Sequence, residues 1–171
     1  MIRKIILTFI VLIFVIIATV AFNVPFLVWP TFINDHEIKI SEEIISRLTN
    51  LKNEKKFIET QKVFYPGAPN ETIRVEAENL LNNLIQEIID GVKQNPRKSF
   101  VLKTIKSNMP YFDKFDSEER DMFCYYCEEI IEILGISSSG RLINVWRYGI
   151  PYKRLSNKPV KPISPHGAGP T

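Results

Sequence analysis

The stretch Asn70–Val92, NETIRVEAENLLNNLIQEIIDGV, decides the fold. Ile73, Ala77, Leu80, Leu81, Leu84, Ile85, Ile88 and Val92 recur at three- and four-residue intervals. That spacing puts them on one wide face of a helix. Asn70 suits the N-cap, and Glu71 places a carboxylate in the first turn, where the helix dipole favours it. Gly91 and the Asn95-Pro96 pair are the predicted stop. A helix with so broad an apolar face needs other elements to cover it.

The flanking sequence supplies more helices. Upstream, Ser41 reads as an N-cap, followed by Glu42, Glu43 and the stripe Ile44, Ile45, Leu48 and Leu51. The pattern fades in the charged stretch Lys52–Lys56. Phe57, Ile58, Val63 and Phe64 read as apolar anchors in a connection. Pro66-Gly67 suits the central pair of a type II turn, because proline presets φ and glycine takes φ above zero. Downstream, a third helix starts at Lys98 or Ser99 and carries Phe100, Val101, Leu102, Ile105 and Met109 until Pro110 ends or kinks it. Phe112 and Phe115 pack the next turn. A fourth helix runs from Glu118 to Leu134, capped by Asp116 or Ser117 and stopped by Gly135. After a Ser137–Gly140 linker, Arg141–Tyr148 is a short fifth helix closed by Gly149. No repeat and no convincing strand pair occurs, so the expected fold is all-α, a small bundle of four to five helices.

One transmembrane helix is expected to precede that bundle. Ile5 to Asn34 holds no charged residue, and its apolar heart, Ile5–Phe22, has 18 residues. At about 1.5 Å per residue it would span roughly 27 Å, near the ~30 Å bilayer core. Arg3 and Lys4 stand before it, and Asp35 and Glu37 are the first charges after it. The positive-inside rule then keeps the N-terminus in the cytoplasm and puts the rest outside. Phe26 and Trp29 stand where interfacial aromatics sit, and Pro25 and Pro30 break the helix. The alternative is a signal peptide cleaved after Thr19-Val20-Ala21. The resulting division is an anchor and interfacial segment at 1–34, a helical bundle at 35–150 and a Pro-rich basic tail at 151–171. Residues 35–40 read as a short polar linker.

Charge sharpens this division. The 171-residue chain has 22 basic and 19 acidic side chains, a net +3. Arg3 and Lys4 carry +2, and Lys153, Arg154, Lys158 and Lys161 carry +4, so residues 5–152 carry −3. An acidic body with a basic tail is not a nucleic-acid-binding profile, which concentrates basic charge on the folded domain. The expected partners are the lipid bilayer, through residues 5–22, and another protein.

FYPGAPNE at Phe64–Glu71, NPRKSF at Asn95–Phe100 and RLINVWRYG at Arg141–Gly149 resemble a small bacterial all-helical family of unknown function. The resemblance covers Phe64–Gly149. It implies a helical, autonomous domain found in short, sometimes anchored or exported proteins. It implies no catalytic residue.

The candidate chemistry is sparse. Cys124-Tyr125-Tyr126-Cys127 is a C-x-x-C motif, the one redox or metal candidate. It lies in mid-helix, flanked by Asp121, Glu128 and Glu129, whereas a reactive thiol wants a helix N-terminus and basic neighbours. On a helical wheel Cys127 falls in the apolar stripe and Cys124 on its edge, so the plain reading is packing. The predicted bundle has no histidine, since His36 and His166 flank it, which removes Ser-His-Asp and Cys-His catalysis there. No HExxH or P-loop motif exists and no cofactor is expected. Carboxylate-only hydrolysis would use Glu118, Glu119, Glu128 or Glu129, which read as polar-face residues. Ser137–Arg141 could hold an anion but reads as a linker. Trp146, Arg147 and Tyr148 are the candidate interaction residues, of the types enriched at binding hot spots. The leading expectation is a membrane-anchored extracytoplasmic binding module, for instance an immunity-type protein. The alternative is an envelope enzyme or thiol-redox accessory using Cys124 and Cys127.

Overall fold

The computed structural model describes residues 9–18, 31 and 34–148. Residues 34–148 are helical: α1 (Glu42–Asn53), α2 (Glu71–Val92), α3 (Lys98–Asn108), a 3-10 turn (Met109–Phe112), α4 (Ser117–Ile133) and α5 (Leu142–Tyr148). Among the described residues no strand forms, and the only β pairings are two isolated bridges, Glu37 with Arg97 and Thr60 with Tyr65. The domain is all-α.

α2 is the central element, packed on α1 and α3, while α4 packs on α1, α2 and the 3-10 turn. Its Ala77, Leu81, Leu84, Ile85, Ile88 and Val92 are fully buried. Asn70 Oδ1 accepts from the Ile73 amide at 3.0 Å, the cap that the sequence predicts. Gly91, in contrast, does not stop the helix. It lies inside α2, where a β-carbon would come within 1.9 Å of the Phe100 ring. The missing side chain lets α3 lean on α2. Pro110 does end α3, as expected, and without a kink. The helix ends at Asn108 and the proline opens the 3-10 turn, a first-turn position where its missing N–H costs nothing.

Residues 35–40 are no free linker. The Ile38 amide donates to Pro96 O at 2.7 Å and the Lys98 amide to His36 O at 3.0 Å. α3 has no cap from its own Arg97, and Asp35 supplies one from 64 positions upstream. Asp35 Oδ1 accepts from the Ser99 amide at 2.8 Å and Oδ2 pairs with Arg97 at 2.7 Å. Burial raises the Asp35 pKa, but the Ser99 amide and Arg97 outweigh it, and the net shift is downward.

The charged stretch after α1 also turns inward. Lys56 is 0% exposed, and its Nζ donates to Lys52 O and Glu54 O, both at 2.8 Å. Carbonyls left open at a helix C-terminus are the natural partners of a buried ammonium. Arg74 ties the same corner to α2, bonding Glu71, Glu78 and Lys56 O. Glu78 in turn accepts from the Lys56 amide at 2.6 Å. This knot sets the start of the loop that follows.

Residues 9–18 are helical, and every apolar side chain from Phe9 to Ile17 is between 52% and 73% exposed. Among the described residues no helix is long and apolar enough to cross a membrane. The rest of the expected anchor (5–8, 19–22), the interfacial Phe26 and Trp29, Gly149 and the tail at 151–171 lie outside the described residues.

Candidate functional site

The segment between α1 and α2 carries two phenylalanines in the left-handed region, Phe57 (φ 57°) and Phe64 (φ 55°). A bulky residue there is a steric outlier. The two have opposite fates. Phe57 is 0% exposed, and its ring sits 6.3 Å from Phe112 and 5.5 Å, edge-on, from Tyr126. Core burial offsets its strain. Phe64 is 88% exposed. The Phe64 ring recovers nothing by burial.

A tight loop presents Phe64. Thr60 and Tyr65 exchange amide-to-carbonyl bonds at 2.9 and 3.0 Å, closing residues 61–64 into a turn. Gly67, at φ 91°, lets the chain double back, because a β-carbon there would crowd the Glu59 amide at 3.1 Å. Tyr65, next to Phe64, points inward. Its hydroxyl donates to Glu119 at 3.0 Å, and both residues are buried. Burial and the Glu119 carboxylate push the Tyr65 hydroxyl pKa upward, so it stays a donor. This buried bond pins the loop to α4.

Between the loop and α4 runs an open cleft of about 260 Å³. Val63, Phe64 and Pro66 form one wall. Glu118, Asp121, Tyr125 and Glu128 form the other, at positions i, i+3, i+7 and i+10 along one face of α4. Arg147 enters from α5. Its Nη2 pairs with Asp121, while its Nε is buried and makes no hydrogen bond. Three acids against one arginine leave the cleft acidic, with aromatic and apolar surface between the charges.

The structure separates the three candidate interaction residues. Trp146 belongs to the bundle: its ring meets Phe123 edge-on at 5.5 Å, Arg120 lies over it at 5.4 Å, and its indole N–H donates to Asp113 at 3.1 Å. Tyr148 is exposed, with the Arg147 guanidinium 5.3 Å from its ring centroid. Arg147 alone of the three lines the cleft.

Cys124 and Cys127 are unbridged and both buried, so Cys124 is as interior as Cys127 rather than at the stripe's edge. Burial pushes the Cys124 thiol up to about 12, with Asp121 and Glu128 adding to the rise and Arg147 and Arg120 opposing it. Burial also holds Cys127 well above its ordinary value. Thiols so placed are poor nucleophiles. Among the described residues no cluster of three His, Cys, Asp or Glu side chains is arranged to hold a metal ion.

The four glutamates of the carboxylate reading do not act together. Glu118 and Glu128 are exposed in the cleft, and Glu119 is a buried acceptor rather than a polar-face residue. Burial raises the Glu129 carboxyl, with Glu54 adding to the rise. Ser137–Ser139 line a separate shallow cleft of about 380 Å³ that also holds Glu128 and Glu132, carboxylates that repel an anion.

Sequence reading passed over Phe64 as a packing residue. No local signal separates it from Phe57 and Tyr65, aromatics of the same connection that are buried. The acidic spacing on α4 was visible, but not the loop that faces it.

Comparison with known proteins places the bundle. A solved DUF3571 family protein from Acinetobacter baumannii AYE is similar, with 25% identity and a TM-score of 0.56. The likeness covers 62% of this chain and 89% of that one. No curated protein matches. The family model of a domain of unknown function, DUF4844, matches residues 39–151, which takes in α1 as well as Phe64–Gly149. By that match over most of its length, the chain belongs to the DUF4844 family.

Proposed function

We propose that this protein is a membrane-anchored binding module that recognises another protein through the cleft between the Phe64 loop and α4. One observation carries the reading: Phe64 is held in a strained conformation, 88% exposed, at the lip of that cleft. A left-handed turn position given to a large, exposed aromatic instead of glycine or asparagine points to function. An exposed aromatic on a rigid loop makes a good anchor, because little side-chain entropy remains to be lost on binding. The buried Tyr65–Glu119 bond beneath it supplies the rigidity.

The anchor half of the proposal rests on the uncharged Ile5–Phe22 run behind Arg3 and Lys4, supported by the apolar, exposed side chains of residues 9–17. A helix that is apolar on every side belongs in lipid or in a larger core. The domain then stands outside the cytoplasmic membrane, in the periplasm or at the cell exterior. Immunity against an incoming toxin is one form of this role.

The test is capture from envelope extracts by the full chain, wild type against Phe64→Asn. A specific partner retained by the wild type and lost by the variant is the expected result. Equal capture by both removes the cleft from the proposal. For the anchor, the mature protein keeps residues 1–21, resists alkaline extraction, and activates an extracytoplasmic reporter fused after Thr171. A mature N-terminus at Phe22 overturns the anchor and leaves an exported protein.

A further inference from the structure

We infer that the acidic cleft is the docking site of the chain's own basic, Pro-rich segment, residues 151–162. Three observations point there. The first is charge. The cleft carries Glu118, Asp121 and Glu128 against Arg147 alone, and residues 151–162 carry Lys153, Arg154, Lys158 and Lys161 with no acid.

The second is register. Glu118 and Glu128 are ten positions apart on α4, about 15 Å at 1.5 Å per residue. Lys153 and Lys158 are five positions apart, a separation that an extended chain would span in about 15–17 Å. The spacing of Lys153 and Lys158 thus matches that of Glu118 and Glu128. Tyr125 and Phe64 line the cleft between the charges, as apolar Leu155 lies between the two lysines.

The third is where the chain leaves the bundle. Ile143 lies with Glu128 and Ile131 toward one end of α4, while Arg147 pairs with Asp121 toward the other. α5 therefore runs antiparallel to α4 and delivers Tyr148 beside the Glu118 end of the cleft. A segment that turns back there enters the cleft directly. The effective concentration of a linked segment is high, so weak contacts suffice. The inference uses the cleft of the proposed function but not its partner; its consequence is that a partner must displace the segment.

Zero-length carbodiimide coupling tests it, since it joins a lysine amine only to a carboxylate in contact. The purified full chain is coupled as an equal mixture of nitrogen-15-labelled and unlabelled protein, and the links are mapped by mass spectrometry. The expected links join Lys153 or Lys158 to Glu118, Asp121 or Glu128 within one isotopic chain. They fall severalfold at 1 M salt, where the screening length is ~3 Å. Links between differently labelled chains, links only to other acids, or no links overturn the inference.

A second measurement reads cover directly. Tyr125→Cys places a thiol in the cleft, and its maleimide labelling rate is compared with and without Lys153→Glu, Arg154→Glu and Lys158→Glu. The rate should rise severalfold with the reversed charges. Acidic charge near a thiol slows it, so a rise reports uncovering and not electrostatics. An unchanged or lower rate overturns the inference. Partner capture enters neither assay, so the proposed function can fail while this stands.

Discussion

Replacing Phe64 and Phe57 in turn by asparagine makes the same chemical change at the same backbone angles, φ 55° and 57°. The outcomes should differ in sign. A non-glycine residue in the left-handed region costs roughly 1–2 kcal/mol, and asparagine suffers least because its short amide tolerates the conformation. Phe64 is 88% exposed, so its ring forfeits only about 0.3 kcal/mol of burial, a small fraction of the ~1.5–3 kcal/mol of a fully buried aromatic. Phe64→Asn should therefore stabilise the domain by about 0.5–1 kcal/mol, a rise of roughly 2–4 °C in Tm. Phe57 is 0% exposed and touches Phe112 and Tyr126. Losing a core phenylalanine costs about 3–5 kcal/mol and outweighs the relieved strain. Urea unfolding followed by circular dichroism reads both. If Phe64→Asn destabilises by more than about 1 kcal/mol, the ring serves the fold and is not a free anchor. The stabilised variant should at the same time lose its partner, a pattern that a packing residue cannot give.

Further outcomes follow from the packing. Asp35 has its pKa lowered in the fold, so its contribution is present above the unfolded value near 3.8 and is lost as pH falls through the folded value. Asp35→Asn keeps an acceptor for the Ser99 amide, and should cost less than about 1 kcal/mol at pH 7 and flatten the acid limb of stability below about pH 4; an unchanged limb refutes the cap. Cys124→Ser with Cys127→Ser should cost about 2–4 kcal/mol through two buried hydroxyls, and a thiol titrating below about 7 in the wild type would revive the redox alternative. Gly91→Ala should be destabilising by about 1 kcal/mol in the wild type but stabilising by a similar amount beside Phe100→Ala, where helix propensity is all that remains. Tyr148→Ala should leave melting unchanged, whereas Arg147→Ala should lower it slightly by freeing Asp121.

Much of the bundle was legible because its helices announce themselves locally. The apolar face of Asn70–Val92, the caps at Ser41 and Asn70 and the stop at Gly135 (φ 67°) are short-range signals, and each stands in the structure. Long-range substitutions for local signals were not legible. α3 lacks a cap of its own, and nothing in its sequence names Asp35 as the supplier. Gly91 looked like a stop because glycine usually serves that end, yet what decides it is a ring on another helix. The charged stretch Lys52–Lys56 shows only a fading helical pattern, and nothing local marks Lys56 as the lysine that the open carbonyls of α1 and the Arg74–Glu78 pair hold inside.

The cleft was hidden for a related reason, and that reason bears on function. Hydrophobic periodicity finds faces that bury, and a recognition surface is by construction a face that does not. Phe64 left no trace in the period because it joins no stripe. Of the four positions on α4, Glu118 and Glu128 read as polar-face residues and Asp121 as a neighbour of the cysteines. What converts them into a site is the loop opposite, and that loop is held by three things that periodicity does not report: the Lys56 knot, the left-handed Phe57 and the buried Tyr65–Glu119 bond. All three lie in or next to the FYPGAPNE segment or contact it across the bundle. A segment that needs two strained phenylalanines and a buried carboxylate to hold its shape is costly for a simple connection. The inward residues, Phe57 and Tyr65, recover that cost through the core. The outward one, Phe64, does not, and in the proposed function it is the partner that buries its ring.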